Sequence, residues 1–219
     1  MGQIISNTKC VIFDCDGVLV DSEKLCCKAL VNVFSTYAEK FDFEDCMKHF
    51  EGGKVADILT ATMERLNINV SLDVVEPIYR EQVRHLFSNE LQPVSGINPL
   101  LDRLTEKDIQ YCVVSNSPKN KIESSLEMTG LLQRFEGKVY SAFEANSWKP
   151  DPDLLLYAAM SMGYSPSECV YIDDTEKGVI AGLNAGIQTI HFKSSIYSPL
   201  IDGDTIEIES MTELDDLIS

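Results

Sequence analysis

Positive charge is scarce in this chain: 18 lysines and arginines face 35 aspartates and glutamates, a formal net charge of −17. A broad basic surface of the kind that grips nucleic-acid phosphates is therefore excluded. Small anions are repelled at long range as well, so any phosphate site must be made attractive locally, by a bound cation and one or two lysines. No apolar run approaches the roughly 20 residues of a membrane span, and no basic segment leads into a signal-type apolar core. Neither a membrane partner nor export is expected. The seven cysteines include no C-x-x-C pair, which removes the usual zinc and redox spacings. Cys10, Cys112 and Cys169 sit in apolar runs where a thiol acts as a small core residue, and reduced thiols suit a cytoplasmic protein. Met1 to Ser6 fits the short N-myristoylation pattern, but no polybasic segment follows to supply a second anchor.

What is present is an ordinary globular composition, 219 residues with 44% hydrophobic and 24% charged, enough for a domain with an insertion. Continuous β-rich apolar runs at 9–13, 110–114, 138–143, 168–172 and 187–192 predict strands buried on both faces, as in a parallel sheet. Helical spacing fills the intervals. Leu25, Ala29, Leu30, Val33, Phe34 and Tyr37 recur at helical intervals, and Ile58, Leu59 and Met63 share a face of a second helix. Further helices are predicted over 74–87, 98–106, 120–128, 152–162 and 175–184, with Gly130 and Gly163 as stops. The alternation predicts an α/β fold with a doubly wound, Rossmann-like parallel sheet. Residues 1–17 and 92–219 form the expected core domain, and 18–91 an inserted helical domain.

In open parallel sheets ligands bind beyond the carboxyl ends of the strands. The first run ends in Asp14-Cys15-Asp16-Gly17, the second in Ser115-Asn116-Ser117 and the fourth in Asp173-Asp174, while Lys149 follows the third. Each has a plain structural reading: an acidic strand end, a polar turn, a helix cap before Thr175, a solvated lysine. As a set they describe a site for Mg²⁺ and a phosphate. Asp14 can serve as a carboxylate nucleophile, and Asp16 can protonate a leaving alcohol and later deprotonate water. Mg²⁺ takes about six oxygens; Asp14, Asp174, a backbone carbonyl and a substrate oxygen supply several, with Asp173 acting through water or as an orienting group. Lys149 can neutralise Asp14 and the phosphoryl oxygens, which Ser115 and Asn116 can also reach.

In order and type these segments resemble the four motifs of the haloacid dehalogenase superfamily: D-x-D-G, a strand ending in Ser or Thr, a Lys, and an acidic pair. Leu19, Asp21, Ser22 and Glu23 after the first motif are similar to the β-phosphoglucomutase-like and sugar-phosphatase subgroup, which carries a helical cap between its first two motifs. The resemblance implies that Asp14 is nucleophile and Mg²⁺ ligand, Asp16 the general acid/base and a ligand through its carbonyl, and Asp174 the second carboxylate ligand. It implies a small phosphate ester as substrate, a sugar phosphate or a sugar-acid phosphate of the 6-phosphogluconate kind. Mutases of the subgroup place a histidine where this chain has Cys26, which cannot handle a proton in the same way at neutral pH. Hydrolysis is therefore expected, with the mutase as alternative. A phosphonatase would need a cap lysine, and the one near that position is Lys28. In the cap, Glu23, Gly53 and Lys54 are candidate substrate contacts: glycines let a loop approach a ligand, and Lys54 can meet a second anion. A plain helix-to-helix turn reads equally well there. Arg84 and His85 are further candidates, whereas His49 and His191 receive no role. A phosphoaspartate receiver uses similar residues in a different order, and a binding module would have no use for both Asp14 and Asp16. A monomer is expected.

Overall fold

The computed structural model describes residues 5, 7–38, 40–193 and 205–218; apart from Ile5, the Met1 to Ser6 pattern lies outside them. Strand β1 (Cys10–Asp14) is the first strand of the sheet and is buried along its whole length. Four helices follow: α1 (Glu23–Phe34), α2 (Phe43–His49), α3 (Val55–Leu66) and α4 (Leu72–Glu90). The chain then alternates through α5 (Ile97–Glu106), β2 (Gln110–Ser115), α6 (Lys119–Met128), β3 (Val139–Ser141), α7 (Ala142–Ala145), α8 (Asp153–Met162), β4 (Cys169–Asp173), α9 (Glu176–Asn184) and β5 (Gln188–Phe192). It closes with β6 (Ile206–Ile208) and α10 (Met211–Leu217). Backbone proximity divides it into two units, Asp21–Gln92 and the remainder on either side.

The helical unit buries one face of each longer helix: Leu25, Ala29, Leu30, Val33 and Phe34 from α1, Leu59 and Met63 from α3, Val75, Tyr79, Leu86 and Phe87 from α4. These positions recur three and four apart, the spacing that gathers side chains on one side of a helix. The short α2 was not predicted. Seven residues are too few to show a period, and its local signal is Asp42, whose carboxylate accepts a hydrogen bond from the Asp45 N–H at 2.9 Å.

The other unit is a six-stranded sheet in the order β3-β2-β1-β4-β5-β6, parallel throughout. β1 lies between β2 and β4, with Ile12 opposite Cys112 on one side and Tyr171 on the other. After β1 the chain builds outward through β2 and β3 and then returns to β4, so the strand order reverses beside β1, where such sheets bind ligands. On one face Cys10, Ile12, Cys112, Val114, Cys169 and Tyr171 pack with Leu154, Leu155, Ala158 and Ala159 of α8 and Ala181 of α9. The third predicted strand is shorter than expected. β3 stops at Ser141, whose hydroxyl accepts from the Phe143 N–H and caps the turn of α7; a local cap overrides the apolar run. β6 and α10 were also missed, the strand because three residues make no pattern. All seven cysteines are free thiols, and no helix among the described residues is long and apolar enough to cross a membrane.

The turn after β1 belongs to the sheet unit. Gly17 N–H donates to the Val20 carbonyl at 2.9 Å, Leu19 and Val20 N–H groups return to the Cys15 carbonyl, and Val94 N–H reaches the Leu19 carbonyl. Gly17 adopts φ +85°, a left-handed conformation open to glycine at little cost.

Candidate active site

Asp14 ends the central strand, and its carboxylate is met by the Lys149 ammonium at 2.5 Å. The same ammonium donates to Asp173 Oδ2 at 2.7 Å. All three groups are buried, Asp173 completely. One positive charge thus serves two carboxylates in a place where water cannot screen them, and the two acids respond differently. Burial raises the Asp14 carboxyl to about 7, with Lys149 opposing and the charges of Asp173 and Asp16 adding to the rise. Burial is also the largest single influence on Asp173 and acts in the same direction, but the Lys149 charge and the bonds from Lys149, Tyr171 and Thr175 together outweigh it, and its carboxyl is held below the usual range. The donor count explains the difference: Asp173 receives the Tyr171 hydroxyl and the Thr175 N–H and hydroxyl in addition to the ammonium, so it keeps the negative charge. For Lys149, desolvation is more than repaid by Asp14 and Asp173, and its ammonium stays protonated well above the usual range.

Lys149 is held from behind. Its backbone N–H donates to Asn116 Oδ1 at 2.9 Å, and Asn116 Nδ2 donates to its carbonyl at 3.2 Å. The amide expected to face a ligand faces the lysine loop instead, with both ends engaged. Ser115, 3% exposed at the end of β2, accepts the Ser117 N–H at 3.1 Å. Ser141 donates to the Ser117 carbonyl at 2.7 Å, tying β3 to the same turn. Asp16 is partly open. Its Oδ2 lies 3.5 Å from Ser117 Oγ and 3.7 Å from Lys121 Nζ. The sequence reading did not single out Ser117, Lys121, Ser141, Tyr171 or Thr175. For Tyr171 a signal existed: it stands two residues before Asp173 on a strand, hence on the same face.

Carboxylate oxygens of Asp14, Asp173 and Asp174 lie within 4.8 Å of one another. Three hard oxygen donors at this spacing suit a divalent cation. Gly17 leaves room for the Asp174 carboxylate, which a Cβ at that position would overlap. The donor set therefore fits a divalent cation, with Asp14 and Asp174 the better placed; Asp173 already receives four hydrogen bonds from protein groups. Glu23, Gly53 and Lys54 belong to the helical unit, Glu23 as the first residue of α1 and Lys54 as the residue immediately before α3. Gly53 has φ +104° with open space where a Cβ would stand. Arg84 pairs with Glu81 on α4.

Residues 11–192 match the family described as haloacid dehalogenase-like hydrolase. A 6-phosphogluconate phosphatase of Escherichia coli K12 is 32% identical over 214 residues, 97% of this chain and 96% of that protein. A phosphorylated carbohydrates phosphatase of Thermotoga maritima is 29% identical over 181 residues, 83% of each chain. Among solved structures, a haloacid dehalogenase-like protein of Agrobacterium tumefaciens superposes with a TM-score of 0.83 at 26% identity, covering 96% of this chain and 97% of that one. The chain belongs to the haloacid dehalogenase-like hydrolases and is a phosphatase, a phosphoric monoester hydrolase.

Proposed function

We propose, with membership of the haloacid dehalogenase-like hydrolases as premise, that this phosphatase acts on a small phosphorylated sugar or sugar acid through an aspartyl phosphate on Asp14. The first substrate to test is 6-phosphogluconate, the substrate named for a relative that matches nearly end to end; a second relative is named for phosphorylated carbohydrates. The observation that carries the mechanism is the buried Asp14 carboxylate on the Lys149 ammonium at 2.5 Å, beside Asp173 and Asp174.

One Asp14 oxygen attacks phosphorus as the bond from phosphorus to the sugar oxygen breaks. Asp16, partly exposed at the rim, gives its proton to that leaving oxygen. It then removes a proton from the water that attacks the phosphoryl group, and inorganic phosphate leaves with Asp14 regenerated. Lys149 holds Asp14 in place and offsets the charge gathering on the phosphoryl oxygens. Asp173 fixes the lysine, and Asn116 fixes the loop that carries it. Asp14, Asp174 and the Asp16 carbonyl would hold Mg²⁺, which would supply neutralisation of the phosphoryl charge.

Phosphate release from a panel of phosphorylated sugars and sugar acids tests this reading. The expected results are the highest kcat/KM on 6-phosphogluconate, loss of turnover in EDTA with recovery on adding Mg²⁺, and a fall of at least about a thousandfold in Asp14→Asn. Turnover that survives EDTA rejects the metal assignment, and turnover that survives Asp14→Asn rejects the nucleophile.

A further inference from the structure

Lys121 stands next to the proposed acid/base, yet the mechanism gives it no role. It sits in the first turn of α6, with Nζ 3.7 Å from Asp16 Oδ2 and 3.3 Å from Ser117 Oγ. Its side chain is 48% exposed, whereas that of Lys149 is 5% exposed. Exposed ion pairs of this type add little to stability, so folding alone gives weak reason for a lysine here. Chemistry gives a better one. If Asp16 protonates the leaving oxygen, that oxygen must come within hydrogen-bond reach of Asp16. A cation beside the same carboxylate then lies on the organic side of the scissile bond, while Lys149 is engaged on the phosphoryl side by Asp14 and Asp173. In a chain of net charge −17, a substrate whose organic part carries its own carboxylate is repelled unless a local cation meets it. Lysine suits that role, because a compact charge with three donors on a flexible four-carbon stem can follow a polyhydroxylated chain.

We infer that Lys121 is a specificity-determining residue whose ammonium receives the carboxylate of a phosphorylated sugar acid, favouring such esters over neutral sugar phosphates. The inference rests on the hydrolase reading above and adds the residue that selects within it. Lys121 could otherwise serve only as a neighbour of Asp16, in which case every substrate would suffer alike when it is replaced.

The test compares 6-phosphogluconate with glucose 6-phosphate, which share the phosphorylated end and differ at C1, carboxylate against hemiacetal. In Lys121→Gln the ratio of their kcat/KM values falls about tenfold, mainly through KM for the acid, and Lys121→Arg regains most of it. Inhibition by inorganic phosphate reports on the phosphoryl end, and its Ki moves by less than about twofold in Lys121→Gln. If glucose 6-phosphate is turned over too slowly to measure, the KM rise against a steady phosphate Ki is the readout. Parallel losses on both substrates, or a phosphate Ki that rises with KM, overturn the inference and leave the hydrolase reading intact. So does a wild-type enzyme that accepts glucose 6-phosphate and refuses 6-phosphogluconate. A wild type that hydrolyses no sugar phosphate at all overturns both.

Discussion

At Lys149 one ammonium is shared by two buried carboxylates, and removing either sign of charge has opposite consequences. Lys149→Met leaves Asp14 and Asp173 facing each other without a counter-ion. The expected cost is about 3–5 kcal/mol, with activity lost, measurable by denaturant unfolding and phosphate release. Asp14→Asn leaves a balanced pair of Lys149 and Asp173. Because burial raises the Asp14 carboxyl to about 7, above its value in an unfolded chain, this group's contribution to stability is complete at acid pH and is lost as pH rises through 7. In EDTA, Asp14→Asn is therefore expected to exceed the wild type in stability by about 2–4 kcal/mol at pH 8 and to gain much less at pH 5, as thermal melts at the two pH values would reveal. A gain that is larger at pH 5 contradicts the sign. Asp14, Asp16, Lys149 and the acidic pair were legible in sequence because strand ends and spacing announced them. The direction of the Asn116 amide was not, since a polar turn residue can face a ligand or the backbone equally well. The Tyr171 hydroxyl left a signal in its place two residues before Asp173, but inside an apolar strand tyrosine reads first as core.

The contact of α9 with β4 shows the site being set by an element. Gly178 and Gly182 lie one turn apart on α9, and a Cβ at either would overlap Asp173 or the Tyr171 and Thr189 side chains. The helix can lie this close to the strand because those positions carry no side chain. Gly178→Ala must push α9 away or displace Asp173. The expected destabilisation is about 1–3 kcal/mol, with a larger relative loss of kcat, because Asp173 holds Lys149. A variant that loses stability but keeps wild-type kcat would contradict this. Gly17→Ala meets both a left-handed φ and the Asp174 carboxylate, so the Mg²⁺ concentration for half-activation is expected to rise about tenfold, read from a metal titration of activity. At this scale the core strands and longer helices were readable from period and length. The strand predicted over 138–143 ran past its end because Phe143 looks like strand until Ser141 is seen capping α7. The helix α10 did leave a signal, Ser210 and Glu213 forming a capping box.

Across the whole chain the charge of −17 opposes the arrival of an anionic substrate. Raising ionic strength from about 10 mM to about 150 mM shortens the screening length from ~30 Å to ~8 Å. The value of kcat/KM for 6-phosphogluconate is expected to rise a fewfold over that range; a steep fall would mean that local lysines dominate the approach. The composition made this legible. The convergence expected from the strand ends is made specific by the structure: Asp14, Lys149 and Asp173 come from three separate stretches and meet where β1 and β4 end and the loop after α7 passes. The measurement that bears most directly on this convergence is chemical trapping of the enzyme during turnover. Acid quench in the presence of 6-phosphogluconate and Mg²⁺, followed by borohydride reduction and peptide mass spectrometry, should convert an acyl phosphate to homoserine at position 14. Homoserine at position 16, 173 or 174 instead, or a turning-over enzyme whose Asp14 peptide stays unmodified, would contradict the account.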